Sequence, residues 1–191
     1  DLICHGPIIQ NVFEQYIENI EKEYKILVTK DQFEILSRQF DNLNFITQIN
    51  TYYDTANMDI RNNKGAMRIR ERNGKYIFTL KMKDKNIDGH YEFEMEVSEN
   101  NTDVFKNPDI KNLLNSYGIH DDVIPLTTLE TKRAVINTGD AEICFDINSY
   151  NGIIDYEIEY EYIKPHDGLT IFQELLSHAN LIYKKNSTSK I

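Results

Sequence analysis

The chain has 191 residues, 40% of them hydrophobic and 27% charged, enough for one folded domain with a substantial core and too apolar for a disordered one. A formal net charge of -10 excludes general nucleic-acid binding, and two cysteines, Cys4 and Cys144, are too few and too far apart for a disulfide scaffold or a zinc site. No apolar run is long enough to cross a membrane and no signal-peptide pattern opens the chain, so a reduced, cytoplasmic setting is expected.

The residue bias toward Asn, Ile, Lys and Tyr points to an AT-rich, bacterial genome. The start at Asp1 without Met, and the stop soon after Asn186-Ser187-Thr188-Ser189, read as trimmed ends.

Pro7 to Asn19 spaces Ile8, Ile9, Val12, Phe13, Tyr16 and Ile17 as an amphipathic helix. A strand follows from Ile20 to Val28. Side chains alternate across a strand, so Glu21, Glu23 and Lys25 share one face while Lys22, Tyr24 and Ile26 share the other. Thr29 with Gln32 forms a capping-box signature for a helix to about Phe40. A strand from Phe45 to Asp54 then leads through Thr55 into a polar linker with Asn62, Asn63 and Gly65.

Asn73-Gly74 is a strong two-residue turn signal, and it predicts that Arg72 pairs with Lys75, Arg70 with Ile77 and Arg68 with Thr79. That register gathers Arg68, Arg70, Arg72, Lys81 and Lys83 on one face. Met67, Ile69, Phe78, Leu80 and Met82 fall on the other. After a turn at Asp88-Gly89, the strand His90 to Val97 reverses the sign, with Glu92, Glu94 and Glu96 opposed to Tyr91, Phe93, Met95 and Val97.

Asn107-Pro108 opens a short helix that Gly118 closes. A strand from about Leu129 to Asn137 carries Lys132 and Arg133 and turns at Thr138-Gly139-Asp140. The next strand, Ala141 to Tyr150, meets a second Asn-Gly turn at Asn151-Gly152, which sets Asp146 opposite Glu157 and Cys144 opposite Glu159. Carboxylates opposed across a sheet repel, so Asp146 and Glu157, beside Glu159 and Glu161, call for a cation between their oxygens. A last helix runs from about Leu169 to Asn180, followed by Lys184, Lys185 and Lys190.

An open sheet that leaves its charged face in water explains any single strand. It explains less well why charge is sorted by sign, strand by strand, and why three or four helices are available to cover the apolar side. A sheet curled with its charged face inward accounts for both. The expected fold is therefore α+β, a closed eight-stranded antiparallel β-barrel with helices packed outside.

Glu21-Lys22-Glu23-Tyr24-Lys25 resembles the ExExK signature of the CYTH domain, the triphosphate tunnel metalloenzymes. The resemblance continues in order through Tyr53-Asp54-Thr55, Arg68-Ile69-Arg70, Lys81, Lys83, the Glu92/Glu94 strand, Arg133, Asp146 and Glu157-Ile158-Glu159. It implies a tunnel domain over residues 20–191, preceded by a helical extension over residues 1–19. It also implies a hydrolase that cleaves a triphosphate with Mg²⁺ or Mn²⁺, inorganic tripolyphosphate being the expected substrate ahead of thiamine triphosphate and nucleoside triphosphates. Class IV-type adenylate cyclase and a non-catalytic triphosphate sensor are the alternatives.

Carried over by position, Glu21, Glu23, Asp146, Glu157 and Glu159 are the metal ligands, and Lys25, Arg68, Arg70, Lys81, Lys83 and Arg133 bind the triphosphate. Glu21, Glu23 and Lys25 form the catalytic signature, with Glu92 and Glu94 in support. His90 falls where many relatives have Arg. No nucleic acid or membrane partner is expected, and the resemblance leaves room for a homodimer.

Overall fold

The computed structural model describes residues 20–83, 86 and 89–188. The proposed helix over residues 1–19, Asp88 of the turn before His90, and Lys190 lie outside the described residues, as does the Glu21 side chain. The strands are β1 (Ile20–Glu21), β2 (Glu23–Val28), β3 (Ile46–Thr55), β4 (Ala66–Arg72), β5 (Lys75–Lys83), β6 (His90–Val97), β7 (Val123–Asn137), β8 (Ala141–Tyr150) and β9 (Ile153–Tyr162). They form one antiparallel sheet in the order β1-β6-β5-β4-β3-β7-β8-β9-β2. Only Lys22 separates β1 from β2, so the nine segments amount to eight strands.

The two ends of that order are thus one stretch of chain, and the sheet curls to bring them together. Closure is less complete than the expected barrel. Among the described residues the outer edge of β6 is paired only at His90 and Tyr91, by Glu21 and Ile20, so as described the sheet is a curled half-barrel open along the rest of that edge. A two-residue strand cannot cover an eight-residue neighbour.

Both Asn-Gly turns set the registers expected of them. Asn73 (φ 53°), Gly74 (φ 74°), Asn151 (φ 49°) and Gly152 (φ 76°) all take the left-handed conformation of a type I′ hairpin. Arg72 then lies opposite Lys75, Arg70 opposite Ile77 and Arg68 opposite Thr79, while Asp146 faces Glu157 and Cys144 faces Glu159.

The alternation these registers impose puts the apolar faces outside, beneath α1 (Lys30–Ser37), α2 (Asp59–Asn62), α3 (Pro108–Ser116) and α4 (Gly168–Ser177). One core joins Met67, Ile69, Phe78 and Leu80 to Ile60, Ile110 and Leu114. The other joins Ile143, Phe145, Ile158 and Tyr160 to Phe33, Leu36, Phe172 and Leu176.

Helix α1 begins at the expected capping box, with Gln32 N donating to Thr29 Oγ1 at 3.2 Å and Thr29 N to Gln32 Oε1 at 2.9 Å. It stops at Ser37, earlier than its sequence pattern suggested. The segment read as a polar linker contains a helical turn, α2. Buried Asp54 creates it by accepting from the backbone N–H groups of Thr55 (2.7 Å), Ile60 (2.9 Å) and Arg61 (3.1 Å). In α4, Gly168 lies where an added Cβ would stand 2.6 Å from both Tyr160 and Tyr162, so the helix start packs directly on β9.

Candidate functional site

The inward face of the sheet encloses a polar cavity of about 270 Å³ to which every strand from β2 to β9 contributes. Lys25 comes from β2, Arg68, Arg70 and Arg72 from β4, Lys81 from β5, and Glu92 and Glu94 from β6. Opposite them lie Arg133 of β7, Asp146 of β8, and Glu157, Glu159 and Glu161 of β9. Of the residues singled out in the sequence, Glu23 lies beside the cavity, 3.5 Å from the Lys25 ammonium, and Lys83 is not among the lining residues.

The cross-strand pairs sort these charges into neutralised and exposed ones. Lys25 lies opposite Glu159, Lys81 opposite Glu92 and Arg133 opposite Asp146. The arginines of β4 have no such partner in register: Arg68 lies between Tyr52 and Thr79, and Arg70 between Asn50 and Ile77. Arg70 Nε donates to Asn50 Oδ1 at 2.8 Å. Burial, with Arg68 and Arg133 nearby, lowers the Arg70 guanidinium to about 9. It remains protonated at neutral pH and is the cation with most to gain from an incoming anion. Burial alone would lower Arg68 too, but Tyr52 and Glu92 raise it. Its buried Nε has no hydrogen-bond partner among the described residues. Glu92 thus supports basic neighbours, lying opposite Lys81 and acting on Arg68.

The acidic wall is knit together. Arg133 Nε donates to Asp146 Oδ1 at 2.7 Å, and Arg133 Nη2 donates to Asp146 Oδ2 at 2.6 Å and to Glu159 Oε2 at 3.1 Å. In this arrangement Arg133, read from the sequence as a triphosphate contact, takes the place of a cation on both carboxylates. Burial would raise Glu159, but Arg133, Lys25, Lys81 and Arg68 outweigh it and hold the carboxyl at about 2. Burial would lower Lys25, yet Glu159, Glu23 and Glu157 raise it above its ordinary value. The Cys144 thiol is pushed up by burial and stays protonated, which excludes it as a nucleophile.

Two carboxylate groups bring ligand atoms within 4.8 Å of one another: Asp146, Glu157 and Glu159, all buried, and Glu23, Glu159 and Glu161. Oxygen-only donors suit a hard divalent cation such as Mg²⁺ or Mn²⁺. Glu161 thereby joins the residues first proposed as ligands.

The last described residues reach this cluster. Asn186 Oδ1 accepts from Lys25 N at 2.9 Å, Ser187 N donates to Lys25 O at 3.0 Å, and Ser187 Oγ donates to Glu157 Oε2 at 2.8 Å. Gln48, Asn50 and Tyr52 of β3, with Thr131 and Asn148 of β7 and β8, add an uncharged polar wall that the sequence reading passed over. Their signal was a polar residue at every second position of β3.

A family model of the CYTH domain matches residues 19–190. The chain is 32% identical over 170 residues to "Putative triphosphatase YjbK" of Bacillus subtilis (strain 168), covering 86% of this chain and 88% of that protein. Among solved structures it resembles a "putative adenylate cyclase" from Bacillus halodurans with a TM-score of 0.77 and 28% identity, covering 89% of this chain and 95% of that one. HpAC1 of Hippeastrum, described as a "putative adenylyl cyclase" with a dominant triphosphatase activity, shares the fold with a TM-score of 0.70 at 23% identity, covering 90% and 92%.

Proposed function

The chain belongs to the CYTH domain family, and on that premise we propose that it is a divalent-metal-dependent triphosphatase whose substrate is inorganic tripolyphosphate. The reading takes residues 20–191 as one tunnel domain. The observation that carries it is the pair Arg68 and Arg70 of β4, flanked in register by uncharged neighbours and sharing one cavity with buried carboxylates. Guanidiniums without a carboxylate opposite them in register are placed to take several phosphoryl groups at once. The name of the Bacillus subtilis relative agrees with it.

Arg68, Arg70, Arg72 and Lys81 bind the phosphate chain. Lys25, raised by its carboxylate neighbours, remains a cation and donates hydrogen bonds rather than accepting a proton. Asp146, Glu157, Glu159 and Glu161, with Glu23 and Glu21, are the residues that would hold Mg²⁺ or Mn²⁺, which would neutralise phosphate charge and polarise the P–O bonds. The carboxylates also orient the attacking water in line with the terminal phosphorus. The new P–O bond forms as the bridging P–O bond breaks, one proton of the water staying on the orthophosphate product and the other leaving to solvent, and the basic wall receives the charge of the departing pyrophosphate.

The test is phosphate release from tripolyphosphate, ATP and thiamine triphosphate with Mg²⁺ or Mn²⁺, for the wild type and for Glu157→Gln. Release from tripolyphosphate that depends on the metal and falls about a hundredfold or more in the variant is expected. The name of the Bacillus halodurans relative favours a second reading, cyclisation of ATP, in which a ribose hydroxyl replaces water as the nucleophile. Formation of cyclic AMP without phosphate release would establish it.

A further inference from the structure

Gln48 is 2% exposed, and its Oε1 has no hydrogen-bond partner among the described residues. A buried carbonyl left in that state costs free energy, and folded proteins seldom keep one without a use. The side chain lines the cavity from β3, directly opposite Thr131 of β7.

Thr131 does not satisfy it, because the Thr131 hydroxyl proton is committed elsewhere. Thr131 Oγ1 donates to Asn148 Oδ1 at 2.6 Å, Asn148 Nδ2 donates to Asp155 Oδ1 at 3.0 Å, and Tyr150 Oη donates to Asp155 Oδ2 at 3.0 Å. That chain of bonds leaves Thr131 Oγ1, like Gln48 Oε1, with acceptor capacity to spare. The nearest neighbour along β3, Asn50, spends its own oxygen on Arg70. Two neutral acceptors therefore stand together on β3 and β7, between the β4 arginines and Arg133.

We infer that Gln48, with Thr131 beside it, is a recognition residue that accepts a hydrogen bond from an O–H or N–H group carried by the end of the ligand that rests against β3 and β7. The inference builds on the triphosphatase reading and adds a property of the substrate: phosphate oxygens suit the arginines, whereas this pair requires a donor. In tripolyphosphate the donor is the P–OH of a terminal phosphate in its protonated form. In an organic triphosphate it is a hydroxyl or amino group beyond the phosphates.

The two sources separate by pH, since a terminal phosphate sheds its last proton as the pH rises, as a phosphate monoester does at about pH 6, whereas a hydroxyl or exocyclic amino group keeps its donor throughout. The charged side chains sharing the cavity from the strands flanking β3 are Arg68, Arg70 and Arg72 on β4 and Arg133 on β7. Guanidinium groups do not change charge between roughly pH 5.5 and 7.5, so a change over that range reports the ligand.

The experiment measures KM and kcat of the wild type, Gln48→Met and Thr131→Val with tripolyphosphate and with ATP, in Mg²⁺, at about pH 5.5 and about pH 7.5. Methionine keeps the shape and removes both polar atoms. For a P–OH donor, Gln48→Met raises KM for tripolyphosphate about tenfold at the lower pH with kcat within about twofold, and the penalty fades at the higher pH. A penalty with ATP that persists at both pH values supports the same acceptor role with an organic donor.

Unchanged KM with both substrates at both pH values would overturn the inference. So would a pH-independent loss for tripolyphosphate that follows a lowered melting temperature, the mark of a packing role. Failure of the wild type to turn over or bind any triphosphate would instead sink the underlying reading, and this one with it. Should Gln48→Met not fold, Gln48→Asn, which withdraws the amide by one methylene, takes its place in the same measurements.

Discussion

The two walls of the cavity carry similar charged groups and use them in opposite ways. On β7, β8 and β9, Arg133 is locked between Asp146 and Glu159, so its charge is already satisfied by the protein. On β4, Arg68 and Arg70 have uncharged neighbours on both sides, and Arg70 is lowered to about 9 by burial and by other arginines. An arginine in a binding cavity is available to a ligand only to the extent that its neighbours have left it unpaired. Cross-strand register decides that, and a count of basic residues does not.

The sharpest way to break this comparison is to remove one arginine from each wall and compare stability without ligand. Arg133→Ala strips buried Asp146 of its bidentate partner and Glu159 of one of its cations, and should cost about 3–5 kcal/mol in a denaturant titration. Arg70→Ala relieves like-charge repulsion but strands the buried Asn50 Oδ1, so it should destabilise the unliganded protein by less than Arg133→Ala does, while kcat/KM for tripolyphosphate falls about 10²–10³-fold. Equal destabilisation by both variants would show that the walls do not differ.

A second measurement reads the acidic wall by pH. Glu159 has a folded-state pKa depressed to about 2, below the unfolded value, so its contribution is complete above roughly pH 4.5 and is lost as the pH falls toward 2. The amount at stake is up to about 3 kcal/mol. With a chelator present, the melting temperature should fall through that window, and Glu159→Gln should flatten the fall. A slope unaffected by the substitution would remove Glu159 from the account.

The smallest effect concerns the turn that sets the register of the basic wall. Gly74 has φ 74°, and a Cβ there would meet nothing within 4 Å, so Gly74→Ala should cost only the backbone term of about 1 kcal/mol. Turnover should survive, because Asn73 and the flanking pairs hold the register. A collapse of activity at that modest cost would show that the arginines had slipped to the other face.

Much of the comparison could be read in the sequence. Arg68 and Arg70 could be placed because Asn73-Gly74 fixes their partners and alternation fixes their face; Asp146 and Glu157 followed from Asn151-Gly152 in the same way. The state of Arg133 needed more, since its bond to Glu159 spans β7 to β9 and depends on side-chain geometry. Gln48 and Asn50 went unnoticed because polar alternation is also what a solvated strand shows, and no local signal places β3 between β4 and β7. The turn α2 is too short for helical periodicity to show, and its cause is a carboxylate outside it, Asp54. The incomplete closure depends on the two-residue length of β1, a boundary that residue patterns do not define.

Placing β1 and β2 at opposite ends of the sheet, though they are neighbours in the chain, has a consequence for how the molecule assembles. The β4–β5–β6 and β7–β8–β9 meanders involve short loops and can form early, whereas β2 must wait for β9, the last strand to be synthesised. Lys25 meets Glu159 only at that final docking. A nascent chain emerging from the ribosome therefore carries both sets of charges well before it has a chamber to put them in.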